Sequence, residues 1–565
     1  MDLNNFNQVS VSPPGSSASP TGNTPLTPTS EQKTESHVQK NTLSSYFAAD
    51  SVVEDPFESV FPQGSSPNFE EVPNPTTTEA ESKPVRTVPC LDPPTLARMR
   101  QRDAWLPSEA TRQGLLGKQR SGPLEIKPML SGSSHEIGTD TTSDPYRSLL
   151  IRFIGDEAAV NAIRRVPQIV DQANPTIDQL KDLIANGWYR AALDLTFRLL
   201  NNWGYGKEKG GAELTPFTAQ IWLTRLALLV RTRNYDIASQ ELASFSTLDA
   251  PNVYFEHAPD SYPGRTGSII PFSLRLLHAE LPIYLNHTQD ALDRLYYLLA
   301  VIGRIKSNLQ KGYTEDGSSI EPDQAYRESS LSLWTCREVR VLSSCLSVYL
   351  ADMDYQAAIE TVHQMAITCS NSPAALRGLA SILGRIYLQL GDLETAKSHF
   401  AQAIFTSDAV KQPQLVTQSL FQDALLCVGR GEYEEAKKIF QQILDLDPTN
   451  VVAANNLAVC ALYLGQLSDA IRMLDTLTTT GLSIPPQESS KTVSSVDVSQ
   501  ADKASTSSSN LQRRFCLHDS LISNLAILYE IESDNATTNK VNLLERLASL
   551  PGEPVHASAV KLPTS

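Results

Sequence analysis

Apolar residues recur three and four positions apart from about residue 146 onward, and that helical pattern itself repeats on a longer scale of about 34 residues. The clearest units are 417–450 and 451–480. In the first, Leu420, Ala424 and Cys427 line one helix face, Gly431 makes a turn, and Ala436, Phe440 and Ile443 answer from a second helix. Pro448 ends the unit, and Asn450 is placed to cap the next helix. In the second unit Ala458 and Ala470 stand where Ala424 and Ala436 stood. A third, at 377–410, supplies Gly384, Ala396 and Phe400, and looser matches at 339–369, 222–245, 277–298 and around Tyr189 bring the expected total to about seven helical pairs from residue 173.

Small residues at paired positions let two helices approach closely, and each pair buries its apolar face only against its neighbours. The expected fold is therefore all-α, a tetratricopeptide-repeat-like α-solenoid with a concave surface and a long disordered N-terminal arm. Residues 1–145 hold 18 of the 35 prolines among Ser, Thr, Asn and Glu, a composition that cannot offset its ordering entropy by burial. The expected organisation is an arm over 1–145, a solenoid over 146–484, a flexible Ser-rich insert over 485–510, a last helical repeat and cap over 511–550, and a tail over 551–565. Within the arm, "RDAWLPSEATRQGLL", residues 102–116, is expected to dock: Trp105 and Leu106 are bulky residues stranded in polar sequence, followed by a capping-box-like Ser108 to Thr111.

The 63 acidic residues outnumber the 47 basic ones, for a net charge of −16, and no basic stripe breaks that balance. Binding nucleic acid by neutralising phosphates is disfavoured. Seven cysteines, odd in number and widely spaced, read as reduced core thiols of a cytosolic protein. No run approaches 18 apolar residues and the start is not that of a signal peptide, so any membrane association is expected to be peripheral.

Candidate chemistry is sparse. In "YPGRTGSIIPF", residues 262–272, Gly264 and Gly267 are separated by only Arg265 and Thr266, with no following lysine, which is not a phosphate-binding loop. Tyr262 and Arg265 of that loop are instead candidate partner contacts, with Arg265 expected to be exposed. His278, and Cys516 with His518, lack a second ligand pair, and Cys460 lies inside a buried stripe, so neither metal, cofactor nor nucleophile is assigned. Asn456 stands where some peptide-binding repeats hold a C-terminal carboxylate, with Arg385 as its one helper. Asp55-Pro56-Phe57, in an acidic setting, is similar to short motifs that bind clathrin-adaptor ear domains.

The paired small residues resemble the tetratricopeptide repeat. The stretch "STLDAPNVYFEHAPDSYPGRTGSIIPFSLRLLHAELPIYL", with "NNLAVCALYLGQLSDAIRML" and "LISNLAILYEIES", resembles the trafficking protein particle (TRAPP) family of vesicle-tethering subunits over most of 180–550. The insert and the arm depart from it. The resemblance implies a non-catalytic scaffold in transport from endoplasmic reticulum to Golgi, with a further link to autophagy. It implies other TRAPP subunits as partners, a Rab-family GTPase reached only through the complex, and a cytoplasmic location peripheral to the intermediate compartment and Golgi. The alternative is a generic adaptor or cochaperone whose concave groove holds a peptide.

Overall fold

The computed structural model describes residues 93–117, 125–130, 144–164, 175–206, 212–245, 247–404, 413–448, 450–480, 517–553 and 555–563. The Asp55-Pro56-Phe57 motif, the Ser-rich insert and Cys516 lie outside them. Among the described residues the extended elements are all helices, joined by 3-10 turns and two isolated bridges, Tyr254 with Ser268 and Tyr313 with Ile320.

In chain order the helices are α1 (Pro93–Asp103), α2 (Glu109–Leu116), α3 (Pro145–Ile154), α4 (Glu157–Ile163), α5 (Ile177–Ala185), α6 (Tyr189–Asn202), α7 (Pro216–Arg231), α8 (Tyr235–Ala243), α9 (Phe272–Tyr284) and α10 (Thr288–Gln310). They continue as α11 (Gln324–Ala351), α12 (Tyr355–Thr368), α13 (Pro373–Leu390), α14 (Leu393–Ile404), α15 (Pro413–Arg430), α16 (Tyr433–Leu446), α17 (Val451–Tyr463), α18 (Leu467–Thr480), α19 (Asp519–Glu532) and α20 (Ala536–Ala548).

One backbone feature organises seven helix pairs. A residue with left-handed φ sits at each turn: Gly187, Arg233, Asn286, Met353, Gly391, Gly431 and Gly465. The second helix of every pair then starts two residues later, from Tyr189 in α6 to Leu467 in α18. This is the helix stop that a residue without Cβ crowding makes best, and four of the seven positions are glycine.

Close approach between paired helices follows from residue size. A Cβ on Gly384 would lie 2.4 Å from the Phe400 ring. Ala396, Ala424, Ala436, Ala458 and Ala470 are all buried, and Phe400 and Phe440 fill the space beside them. The described chain divides into two compact units. Unit 2 holds the described residues up to 130 and those of 167–345; unit 1 holds 145–166 and everything from Leu346.

Unit 1 is discontinuous in sequence, which alters the expected organisation. Residues 145–164 pack beside the C-terminal elements and do not begin the stack. The Tyr146 hydroxyl donates to Val555 O at 2.6 Å, and Arg164 Nη1 donates to Ala548 O, Leu550 O and Gly552 O at 3.3, 3.0 and 2.8 Å. Residues 555–562, expected as part of a tail, bury Val555, Ala557, Val560 and Leu562 in the same core. Together these segments cover the apolar face that the last repeat would leave bare, as terminal repeats require.

Candidate partner-binding surfaces

In unit 2, part of the N-terminal segment folds onto the repeats. Trp105 is 5% exposed, with ring centroids 6.5 Å from Phe272 and 6.3 Å from Trp334 and the Arg275 guanidinium 4.4 Å over its face. Its indole N–H donates to Asp249 Oδ1 at 3.1 Å. That carboxylate also receives Arg275 Nη1 at 2.8 Å, the Tyr254 hydroxyl at 3.2 Å and, on Oδ2, the Tyr297 hydroxyl at 2.5 Å. Burial alone would raise the Asp249 carboxyl, but Arg275 and the hydroxyl donors outweigh it and hold the group below the ordinary carboxylate range. The Asp249 carbonyl accepts from the Thr111 hydroxyl, so a single residue anchors both α1–α2 linker and α2.

The 262–272 loop receives the same segment. Gly267 has φ of +104°, and a Cβ there would lie 2.4 Å from Asp103 O. Ser268 N donates to that oxygen at 2.7 Å. Arg265, expected as an exposed partner contact, is instead engaged within the chain: its Nη2 donates to Asp103 Oδ2 at 2.5 Å and its guanidinium lies 3.9 Å over the Phe255 ring. Burial raises the Asp103 carboxyl in spite of this ion pair. Tyr262 is half-buried edge-on to Phe255, centroids 5.1 Å apart. The structure thus brings Trp105, Tyr262 and Arg265 into one neighbourhood, where all three serve contacts inside unit 2.

Sequence reasoning missed a second strip of the segment. Ile126 and Leu130 are buried, and the Asn252 side chain accepts from Ile126 N at 2.9 Å and donates to Ile126 O at 2.7 Å. Residues 93–101 likewise lie outside the expected docking stretch: Arg100 donates to the Tyr326 hydroxyl at 2.7 Å and to Glu321 at 2.5 Å. Neither strip shows a helical apolar period, so pattern reading passes over them. His278 is half-buried in the same unit, and desolvation together with nearby Arg294 pulls its imidazole down to about 4.

In unit 1 a polar row crosses the first helices of successive pairs. Gln422 Nε2 donates to Ser381 Oγ at 3.1 Å, and Asn524 Nδ2 donates to Asn455 Oδ1 at 2.9 Å. Asn456, next to Asn455 on α17, is 3% exposed, with no partner for either side-chain polar atom. Arg385 is 5% exposed. Both candidate clamp residues are therefore buried rather than presented to solvent. Burial pushes the Cys460 thiol up to about 12, so it stays protonated.

Two family models described as tetratricopeptide repeat match residues 428–481 and 381–404. Trafficking protein particle complex subunit 12 of Mus musculus is 36% identical over 468 residues, covering 82% of this chain and 54% of its own. The Homo sapiens protein of that name is 35% identical over 469 residues, covering 82% and 58%. This chain spans a little over half the length of either relative. A crystal structure of a tetratricopeptide repeat protein from Parabacteroides merdae covers 58% of this chain and 98% of its own at a TM-score of 0.28 and 14% identity, too loose a superposition to carry weight.

The left-handed turns, the close-approach residues and the matched repeats define a tetratricopeptide-repeat protein. Small residues at fixed places, and not a shared catalytic group, characterise that class. Within it, this chain is a homologue of subunit 12 of the trafficking protein particle complex.

Proposed function

We propose that the chain is a non-catalytic scaffold subunit of a TRAPP vesicle-tethering complex, acting in transport from endoplasmic reticulum to Golgi. The observation that carries this reading is the 35–36% identity sustained over 82% of the chain, which spans both units. In this role it contacts other TRAPP subunits, reaches a Rab-family GTPase only through them, and works from the cytoplasm at the intermediate compartment and Golgi. Among the described residues no helix is long and apolar enough to cross a membrane, which fits peripheral attachment. The competing adaptor reading is weakened by the burial of Asn456 and Arg385, since a carboxylate clamp needs both side chains accessible.

Affinity purification of the full chain from cytosol, followed by mass spectrometry, separates the two. Stoichiometric TRAPP subunits are the expected result. Chaperones recovered without any TRAPP subunit would overturn it.

A further inference from the structure

The segment that carries Trp105 has the make-up of a bound ligand. Its helices α1 and α2 are 11 and 8 residues long, too short to hold in isolation. Neither presents an apolar stripe: among the described side chains α1 buries Gln101 and α2 buries Thr111. The apolar anchors, Trp105, Leu106, Ile126 and Leu130, all lie outside the helices. A few bulky anchors joined by main-chain hydrogen bonds are how a linear peptide binds a folded surface.

The surface beneath is held in shape by its own contacts. Arg275 Nη2 donates to Leu248 O at 2.9 Å and to Ser268 Oγ at 3.0 Å, while its Nη1 and the Tyr254 hydroxyl fix Asp249. The 262–272 loop is pinned on both sides of Gly267. Phe255 N donates to Gly267 O at 2.9 Å, Ile269 N to Val253 O at 2.7 Å, and Gly267 N to Glu256 Oε1 at 3.0 Å. These bonds run between residues of the repeats and their loop, so the acceptors and the guanidinium are oriented without help from residues 93–130.

What this surface reads is specific. Asp249 takes the indole N–H, and Arg275, Phe272 and Trp334 take the ring. Arg265 takes the carboxylate two residues earlier, and Ser268 N the carbonyl of that same residue, which only a glycine at 267 lets so close. Asn252 grips both main-chain groups of Ile126, a contact indifferent to the side chain. Such contacts select a sequence and not the chain it comes from. We infer that unit 2 carries a peptide-binding site for Asp-x-Trp-Leu segments, closed in cis by Asp103 to Leu106, and that a partner protein presenting this motif enters by displacing them. The inference stands independently of membership in a tethering complex.

The probe is a fluorescein-labelled peptide of residues 99–114, added to the full chain carrying Trp105→Ala with Leu106→Ala and read by fluorescence anisotropy. Saturable binding is expected. A peptide with Trp105→Phe keeps a ring but loses the donor to a carboxylate, and should bind about tenfold more weakly. An occupant in cis acts at an effective concentration on the order of mM, so the wild-type chain should bind the probe about a hundredfold more weakly. Adding Arg265→Glu to the doubly substituted chain sets like charges against Asp103 of the probe and should weaken binding about tenfold. No binding by a doubly substituted chain of unchanged helicity would overturn the inference. Loss of that chain's cooperative melting transition would do the same, by making the segment an integral part of the core. Equal binding by the wild-type and doubly substituted chains would place the peptide on another surface and also count against it. Wild-type dimers that the double substitution abolishes would assign the occupant to a second copy and overturn closure in cis.

Discussion

Asp249 shows how much a single side chain can hold. It receives an indole, two phenols and a guanidinium from four separate stretches of unit 2, and its own pattern in the sequence is that of an ordinary loop aspartate. Asp249→Asn leaves Arg275 buried without its counter-charge, at a cost of roughly 3–5 kcal/mol, to be read by chemical denaturation at neutral pH. The pH dependence has a definite sign. Because the folded carboxyl lies below its usual 3.8, the unfolded chain binds the proton more tightly; the stabilisation is complete above that value and is lost as pH falls through the lowered folded pKa. The acid limb of stability should therefore be shallower in Asp249→Asn than in the wild type, and coincident limbs would count against this account. Met353 makes the opposite case at the same scale. Its replacement by glycine relieves a left-handed backbone and uncovers almost nothing, so a gain of about 0.5–1 kcal/mol is expected in urea unfolding, after glycine's larger unfolded-state entropy is subtracted.

Between elements, the decisive variable is how near two helices come. Ala436 is fully buried in the core that Phe440 and Ile443 share, and arginine there has neither room nor counter-charge. Ala436→Arg should cost several kcal/mol and spread to the α13–α14 and α17–α18 pairs, whereas Phe440→Ala should cost roughly 3–5 kcal/mol and stay more local. Glu435→Gln should be silent, since its ion pair with Lys438 is exposed on both sides. If these repeats form the assembly surface, recovery of TRAPP subunits should fall in that order; full recovery by a demonstrably disrupted Ala436→Arg protein would place the surface elsewhere. Gly267→Ala tests the other element-scale contact. The added methyl meets a backbone oxygen at 2.4 Å, so hydrogen exchange over 93–117 should quicken while α13 to α18 keep their protection.

For the whole molecule, closure of unit 1 is a contact of long sequence range. Tyr146 and Val555 are 409 residues apart, and Arg164 reaches three carbonyls at and just past the end of α20. Arg164→Ala should destabilise unit 1 by roughly 3 kcal/mol, because buried carbonyls lose charge-assisted donors, with exchange quickening in α3, α19 and α20 together. Quickening confined to α4 would show that the segment does not act as a common cap.

The sequence by itself determined the repeat. Periodicity and small residues at paired positions are local, so Gly384, Ala436 and Ala470 could be assigned to close approach from spacing alone, and glycine marked four of the turns. It also marked Trp105 as a residue that must be covered. What covers it, and what Arg265 pairs with, were decided only in three dimensions: Asp103, Asp249, Phe272 and Trp334 meet across as many as 229 positions, a separation over which no pattern in the chain records a contact. The same holds for Asn456, whose register named a binding position but whose burial only the packed structure reveals. Spacing dictates which side of a helix a residue occupies; only packing decides whether that side faces solvent or a neighbour.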